Sequence, residues 1–170
     1  DTKVYDGTTN SVGVPTITPA LAAGDTTTVH AQAFQTRNVG AGNKVLIPSV
    51  TINDGNGGTN YTVTLQNFTN GTITPLAVTV AAVTDTKAYD GTTNASSPSV
   101  APTITPALAA GDTTTVRAQA FQTKAVGVGN KVIIPAVTIN DGIGGTNYTV
   151  TLQNFIAGTI NPASLTVSGI

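Results

Sequence analysis

The sequence predicts an all-β fold, built as two tandem immunoglobulin-like β-sandwich repeats arranged end to end. Three observations support this prediction. Threonine, a β-branched residue that suits a pleated and half-wet surface, occurs 33 times in the 170 residues. Short segments of alternating polarity are separated by clusters of Gly, Pro, Asn and Asp, as expected for strands and turns. Finally, the two halves of the chain are nearly the same sequence.

The internal repeat defines the predicted domains. The sequence DTKVYDGTTN begins at Asp1, and DTKAYDGTTN begins at Asp85, an offset of 84. From Pro15 onward the offset is 87, so the second copy carries a three-residue insertion around residues 95–100. Across residues 15–80, 13 of the 66 matched positions differ. We therefore predict a first repeat at 1–84 and a second at 85–170.

Six or seven short strands per repeat are typical of a β-sandwich. In the first repeat the alternation predicts strands at 12–17, 26–34, 44–52, 61–68 and 71–74. The apolar segment 76–83 could close the first repeat or open the second, and we predict that it is the junction strand between them. Because the connection around it is short and has no Gly/Ser run, we expect stiff coupling of the two repeats.

The composition excludes several classes of protein. Charged residues make up 9% of the chain, against about 25% in an average protein. The net charge of −1 predicts neither a nucleic-acid interface nor a basic membrane-binding surface. The absence of Cys excludes disulfides and cysteine-ligated zinc. There is no Met and no signal peptide or long apolar run, so we expect an internal segment of an exported protein, without membrane insertion of its own.

The acidic residues are the candidate metal ligands, because calcium prefers carboxylate, amide and carbonyl oxygens. Asp85 and Asp90 lie at the repeat boundary, where two domains could pool oxygens, and we predict them as ligands of an inter-repeat calcium ion. The alternative is that Asp6 and Asp90 brace a turn through hydrogen bonds to the backbone. No other cofactor is expected.

A second calcium candidate is the loop Asp54–Asn60, which has the alternating oxygen spacing of a calcium loop. Its counterpart carries Ile143 where the first copy has Asn56, and no Glu is present to bind in bidentate fashion. The simpler interpretation is a hairpin loop whose glycines adopt positive φ.

No constellation predicts catalysis. The single histidine, His30, is matched by Arg117 in the second copy, and a Ser-His-Asp triad requires a histidine. We therefore expect no enzymatic activity. The lysines are interpreted as surface residues, since an isopeptide bond would need lysine and acid buried together; they include Lys3, Lys44, Lys87 and Lys131. Asn-X-Ser/Thr sequons, which could be glycosylated, occur at Asn60, Asn67, Asn70, Asn94 and Asn147.

Residues 3–9 (KVYDGTT) and 87–93 (KAYDGTT) resemble the YDG repeat of large bacterial adhesins. Nearly the whole chain takes part in the resemblance. The second copy departs from the pattern at Ala125, where the first copy has Asn38. The supporting segments of the first copy are 23–25, 38–40, 42–44, 60–62, 73–75 and 78–80.

The resemblance implies filamentous-haemagglutinin-like or other long exported proteins of Gram-negative bacteria, in which such modules stand in series and present a binding tip. It carries no catalytic residues. We therefore predict an extracellular stalk or spacer segment of a bacterial cell-surface adhesin, with roles in adhesion and biofilm. Its partners would be neighbouring repeats of the same chain, while other domains would bind host or surface glycans.

Two alternatives remain open. One is an adhesive module that binds a glycan or a protein, which would need exposed aromatic side chains. We instead expect the aromatic residues in the core, namely Tyr5, Phe34, Tyr61, Phe68 and their counterparts. The other is a filament subunit that assembles by strand exchange, donating either 76–83 or 165–170.

Overall fold

The protein is all-β in the computed structural model, which describes residues 1–169, and this part of the chain contains no α-helix. Five strands arise from the first sequence repeat: β1 (Thr2–Val4), β2 (Thr26–Phe34), β3 (Gly40–Asn53), β4 (Phe68–Thr74) and β5 (Leu76–Ala81). Six arise from the second: β6 (Thr86–Ala88), β7 (Thr103–Thr105), β8 (Thr113–Phe121), β9 (Gly127–Asn140), β10 (Tyr148–Gln153) and β11 (Phe155–Asn161). The predicted all-β class is confirmed.

The chain divides into two compact units, one spanning Asp1–Leu76 and the other starting at Ala77. Each unit contains a four-stranded sheet, in the order β1-β4-β3-β2 in the first and β6-β11-β9-β8 in the second. A three-stranded sheet, β10-β5-β7, lies in the second unit, to which all of β5 except its first residue belongs. The strand β5 is therefore encoded in the first sequence repeat but pairs with strands of the second unit.

Strand β2 forms where the alternation predicted it, and it pairs antiparallel with β3 from Thr26↔Asn53 to Phe34↔Leu46. The register shifts between Thr27 and Val29, which is a β-bulge. Strand β3 begins at Gly40, earlier than expected, because its first residues pair with β4 through Gly40↔Ile73.

The short edge strands β1 and β6 run parallel to β4 and β11, the last strand along the chain in each four-stranded sheet. Thr2–Val4 pairs with β4, and Thr86–Ala88 pairs with β11. Backbone hydrogen bonds extend the pairing past β1, since the N–H of Tyr5 donates to the carbonyl of Thr74 at 2.8 Å. The equivalent bond joins Tyr89 to Asn161 at the same distance.

Two predicted strands are wrong for the first unit. Residues 12–17 and 61–67 form no strand there, although these residues are described. In the second unit the counterparts of these regions do contain strands, β7 and β10, and both are hydrogen-bonded to β5. A strand needs a partner for its backbone groups, and in the second unit β5 is that partner.

The core consists of apolar side chains of the four-stranded sheets and the segments next to them. In the first unit Tyr5, Phe34, Leu46 and Ile73 are almost fully buried. In the second, Phe121, Ile133 and Ile160 cluster with Ala82, which follows β5. Within residues 1–169 no helix has the length and apolarity needed to cross a membrane.

Candidate functional site

The YDG segment of the first unit forms a turn closed by Lys3. The Lys3 ammonium donates to Asp6 Oδ1 at 2.7 Å and to the backbone carbonyls of Thr8 at 2.9 Å and Asn10 at 3.0 Å. It also lies 5.8 Å from the centre of the Phe34 ring, in cation–π range. Gly7, with φ of 80°, allows the chain to turn between Asp6 and Thr8. The Lys3 side chain thus links the residues of the turn to one another and contacts Phe34 of β2.

The second unit repeats this arrangement around Lys87. Its ammonium donates to Asp90 Oδ1 at 2.8 Å and to the carbonyl of Thr92 at 3.0 Å, and lies 5.6 Å from the centre of the Phe121 ring. The hydrogen bond from Lys87, joined by the N–H of Thr92, lowers the pKa of Asp90 to about 2. The alternative interpretation, that Asp6 and Asp90 brace a turn, is confirmed, since each accepts a hydrogen bond from the backbone N–H two residues later.

The interpretation of the lysines as surface residues is wrong for Lys87, whose side chain is only 5% exposed. Burial of its carbon stem against the sheet carries the ammonium into the turn, where three oxygens accept from it. Its partner Asp90 is 51% exposed, so the pair is not buried together as an isopeptide bond would require.

The two predicted calcium ligands serve separate hydrogen-bond networks. Asp85 is buried and accepts from the N–H of Ser96 at 2.9 Å and from the Ser96 hydroxyl, which fixes the inserted loop. Asp90 accepts from Lys87 and Thr92. Among the residues that the structure describes, no three His or acidic side chains are grouped to hold a metal. The calcium site at Asp85 and Asp90 stays a prediction.

The glycine-rich loop after β3 is organised by Asp54. Its carboxylate accepts from the N–H groups of Asn56 at 2.8 Å, Gly58 at 2.7 Å and Asn60 at 3.1 Å. The bond from Gly58 contributes most to lowering the pKa of Asp54. Asp141 accepts the same three bonds in the second unit, so they do not depend on whether the third residue of the loop is asparagine or isoleucine. Backbone N–H groups therefore occupy the carboxylate that the calcium hypothesis assigned to a metal.

A tyrosine–aspartate contact that the sequence reasoning missed occurs once in each unit. The Tyr61 hydroxyl donates to Asp25 at 2.6 Å and accepts from the N–H of Ala22 at 2.9 Å. The bond to Asp25 raises the pKa of Tyr61. In the second unit Tyr148 donates to Asp112 at 2.7 Å. These residues are 36 positions apart, so only knowledge of the fold brings them together.

In the second unit, β5 lies between β7 and β10, where its backbone is paired and its alternate side chains are buried. Val78 and Val80 point into the core and are 2% and 0% exposed. The backbone of β5 pairs with β7 through Val80↔Ile104. Just beyond it, the N–H of Ala82 donates to the carbonyl of Gln153 at 2.9 Å. Paired edges and buried alternate side chains are the two elements of β-strand addition.

The expectation that the aromatic side chains lie in the core is correct for some of them and wrong for others. Four aromatic residues are buried, namely Tyr5, Phe34, Phe121 and Tyr148. In contrast, Phe68 is 50% exposed and Tyr89, the counterpart of Tyr5, is 40% exposed. Phe155, the counterpart of Phe68, packs against the cluster that contains Ala82. The two phenylalanines at matched positions therefore differ in their packing.

Comparison with known proteins identifies the family. The model of the YDG domain matches residues 1–69 and 74–155, which together cover most of the chain. A search of the curated proteins and a search of the solved structures gave no match. The two matched segments follow the two sequence repeats, and each includes one Lys-x-Tyr-Asp-Gly turn. The chain belongs to the YDG domain family, whose model it matches twice in tandem.

Proposed function

We propose that the chain is a load-bearing spacer, a pair of immunoglobulin-like sandwich repeats joined end to end in the stalk of a secreted bacterial surface adhesin. The observation that carries the proposal is the parallel pairing of β1 with β4. In the first unit these two neighbouring strands are the first and the last along the chain in the four-stranded sheet. Tension applied to the two ends of the unit would act along both strands, in opposite directions.

This geometry loads the backbone hydrogen bonds in shear. The bond from Thr72 to Asp1, 3.0 Å long, and the bond from Tyr5 to Thr74 bracket the pair. Under shear the bonds must break together, whereas strands pulled apart sideways lose one bond at a time. In the second unit the pairing of β6 with β11 has the same polarity, with a 3.1 Å bond from Thr159 to Asp85. The first unit thus has a mechanical clamp at the points where tension would enter, and the second unit repeats the same pairing in the chain that follows β5.

The chain connection between the units supports the same role. Strand β4 ends at Thr74 and β5 begins at Leu76, so only Pro75 separates them. Tension would pass from the first sheet into a strand of the second unit without a flexible linker, since proline restricts the backbone and no Gly/Ser run is present. Tandem repetition of nearly identical units would let such a stalk lengthen by duplication.

The sandwich part of the proposal is supported by the second unit. Ala82, which follows β5 of the three-stranded sheet, clusters with Phe121, Ile133 and Ile160 of the four-stranded sheet. Two facing sheets in a crystal structure, about 10 Å apart, are the expected result. Sheets that share no apolar interface would contradict the sandwich assignment.

Single-molecule stretching tests the mechanical role. Because the chain has no Cys, two introduced cysteines can define the pulling points without competing thiols. Pulling through handles at the two chain ends loads the clamps in shear, and pulling through Thr26→Cys and Asn53→Cys separates the paired ends of β2 and β3. We expect a clearly higher unfolding force in the first geometry. Equal or lower force between the chain ends would overturn the spacer proposal.

A further inference from the structure

The sequence contains two Asn-Gly pairs, Asn56-Gly57 and Asn70-Gly71, and both belong to the first unit. At the matched positions the second unit has Ile-Gly and Ala-Gly, neither of which contains an asparagine. Asparagine is among the chemically least durable residues of proteins, and a following glycine makes it more reactive because no Cβ hinders the backbone nitrogen. The two pairs have the same intrinsic chemistry, so the structure decides which of them can react.

The reaction that an Asn-Gly pair undergoes is deamidation. The backbone nitrogen of the glycine gives up its proton and attacks Cγ of the asparagine, which forms a five-membered succinimide ring. The Cγ–Nδ2 bond breaks, and the side-chain nitrogen takes up a proton and leaves as ammonia. Water, the only co-reactant, then adds to one of the two ring carbonyls and opens the ring, giving aspartate or isoaspartate. Because ring closure needs the nitrogen and Cγ to approach each other, its rate depends on the freedom of the backbone.

Asn56 lies at the tip of the glycine-rich loop that follows β3. Asn56 and Gly57 are both exposed. Gly57 has a φ of 66°, and a Cβ built on it would have no atom within 4 Å. The open space around Gly57 leaves room for the ring that deamidation forms. The tip is also exposed in the second unit, at Ile143 and Gly144, so its accessibility is a property of the loop in both units.

The hydrogen bonds of Asn56 leave the reacting groups available. Within residues 1–169, the N–H of Gly57 donates no hydrogen bond, and the Asn56 amide donates one long bond, 3.4 Å, to Asn60 Oδ1. The backbone carbonyl of Asn56 accepts from the Thr59 hydroxyl at 2.8 Å. That carbonyl shares its peptide group with the Gly57 nitrogen, so this bond stabilises the charge that spreads to the oxygen when the nitrogen loses its proton. Thr59 thus favours the reactive form of Gly57.

Asn70-Gly71 lies in a strand that is paired on both sides. Strand β4 runs between β1 and β3, and Gly71 pairs with Lys44 of β3. Gly71 is buried, and a Cβ built on it would lie 2.6 Å from Leu46 Cδ1 and 2.9 Å from the Lys44 carbonyl oxygen. Asn70 is itself exposed, so exposure of the asparagine does not distinguish the two pairs. The difference lies at the glycine nitrogen, which in β4 cannot turn toward the side chain unless the strand opens.

We propose that Asn56 is a site of spontaneous deamidation in the folded protein, and that Asn70 is protected from the same reaction by its place in β4. The matched loop of the second unit has an isoleucine at this position and cannot follow. Isoaspartate lengthens the main chain of the loop by one carbon, which displaces the N–H groups of Gly58 and Asn60 from the Asp54 carboxylate that accepts from them. Aspartate instead places a second carboxylate two residues from Asp54, where the like charges repel.

The first experiment is peptide mapping of the intact chain during incubation in mildly alkaline buffer without denaturant. Chymotrypsin separates the two sites, because it cleaves after Tyr61, which lies between them. Mass spectrometry then measures the fraction of each asparagine that has become aspartate or isoaspartate. We expect Asn56 to convert roughly tenfold faster than Asn70 or more, since a strand within a sheet must open before it reacts. Equal rates, or faster conversion of Asn70, would overturn the proposal.

A denatured sample separates the effect of the fold from that of the sequence. In guanidinium chloride at a concentration that unfolds the chain, the two Asn-Gly pairs should convert at similar rates, because the backbone is then free at both. If Asn56 still converted much faster than Asn70 in the unfolded chain, the local sequence would set the difference, and the protection assigned to β4 would be wrong.

Asn56→Gln is the matched variant, because it keeps the amide but lengthens the side chain by one carbon, so that the ring closes less readily. Asn70→Gln makes the same change at the protected pair. Isoelectric focusing of the incubated proteins should show acidic species in the wild type and in Asn70→Gln, and far less of them in Asn56→Gln. Acidic species that form as fast in Asn56→Gln as in the wild type would place the reaction at another residue and overturn the proposal. These results are independent of the stretching experiment, which reports on the shear clamps.

Discussion

The side chain of Gln119 binds both backbone groups of Val83, accepting from its N–H at 2.8 Å and donating to its carbonyl at 3.0 Å. Gln119 lies on β8 and is 5% exposed, and Val83 follows β5. A primary amide offers one acceptor and two donors, so it can replace a neighbouring strand for one residue. The contact fixes the end of β5 to the four-stranded sheet of the second unit.

We expect Gln119→Ala to lower the free energy of unfolding of the second unit by about 1–3 kcal/mol, because the partly buried N–H and carbonyl of Val83 lose their partner. Gln32→Ala is the matched control. The hydrogen bond that the structure shows for the Gln32 amide goes to a serine hydroxyl and not to the backbone of a neighbouring strand. Urea unfolding followed by hydrogen exchange at β8 and at β2 separates the units. Equal losses for the two variants would contradict the role of the Val83 contact.

Close packing at Gly71 gives a second prediction. A Cβ built there would lie 2.6 Å from Leu46 Cδ1, 2.9 Å from the Lys44 carbonyl oxygen and 3.0 Å from Phe34 Cε1. Because the carbonyl belongs to the paired strand β3, it cannot move away without disturbing the sheet. We expect Gly71→Ala to reduce the stability of the first unit by about 1–3 kcal/mol, as measured by urea unfolding.

The matched variant in the second unit is Gly158→Ala, where the added Cβ would meet Ile133 Cδ1 at 2.8 Å and Phe121 Cε1 at 3.0 Å. The atoms nearest to it all belong to side chains, so this substitution should cost less than Gly71→Ala. Gly169→Ala is the neutral control, because no atom lies within 4 Å of its added Cβ, and its effect should stay within about 0.5 kcal/mol. A ranking in which Gly158→Ala costs more than Gly71→Ala would show that the backbone oxygen is not the limiting contact.

The tyrosine–aspartate contact predicts an effect that depends on burial. Tyr148 is 7% exposed, and its hydroxyl bonds both Asp112 and the N–H of Ala109, at 2.7 and 2.9 Å. Tyr148→Phe keeps the ring and removes both bonds, so the second unit should lose about 1–3 kcal/mol of stability. Thermal or urea unfolding measures this loss, and Tyr61→Phe, at the more exposed position, should cost less. If Tyr148→Phe left the stability unchanged, water would have to replace the hydroxyl as the hydrogen-bond partner of Asp112 and Ala109.

A strand can be predicted from the sequence when the features that make it a strand lie within the segment itself. Thr26–Phe34 was predicted to the residue, because its alternation and its flanking turns lie within the segment. The strand predicted at 61–68 is absent from the first unit and present as β10 in the second, in spite of identical sequence. The determinant there is β5, which lies outside the segment.

The candidate site divides in the same way. The turn braced by Asp6 and Asp90 was predictable, since an aspartate bonding the N–H two residues later is a local contact. The burial of Lys87 was not, because it depends on the Phe121 ring of β8, more than thirty residues away in sequence. The strand predicted at 76–83 is present as β5, but alternation alone could not show which sheet it joins.

The ion pair of Lys87 and Asp90 leads to a prediction about acid stability. The hydrogen bond from Lys87 lowers the pKa of Asp90 from 3.8 to about 2. A folded-state pKa below the ordinary value means that the ionised carboxylate stabilises the fold above pH 3.8. This stabilisation is lost as the pH falls from 3.8 through about 2. We expect Asp90→Asn to be less stable than the wild type at neutral pH and to lose less stability over that interval.

Carboxyl-carbon NMR measures the same group directly. The Asp90 resonance should titrate with a midpoint near 2 in the wild type, and Lys87→Met should move that midpoint up toward 3.8, because it removes the hydrogen bond that lowers the pKa of Asp90 most. The Thr92 N–H, which also donates to Asp90, should keep the midpoint somewhat below 3.8. An unchanged midpoint in Lys87→Met would show that the backbone of the turn, and not the lysine, sets the acidity of this aspartate.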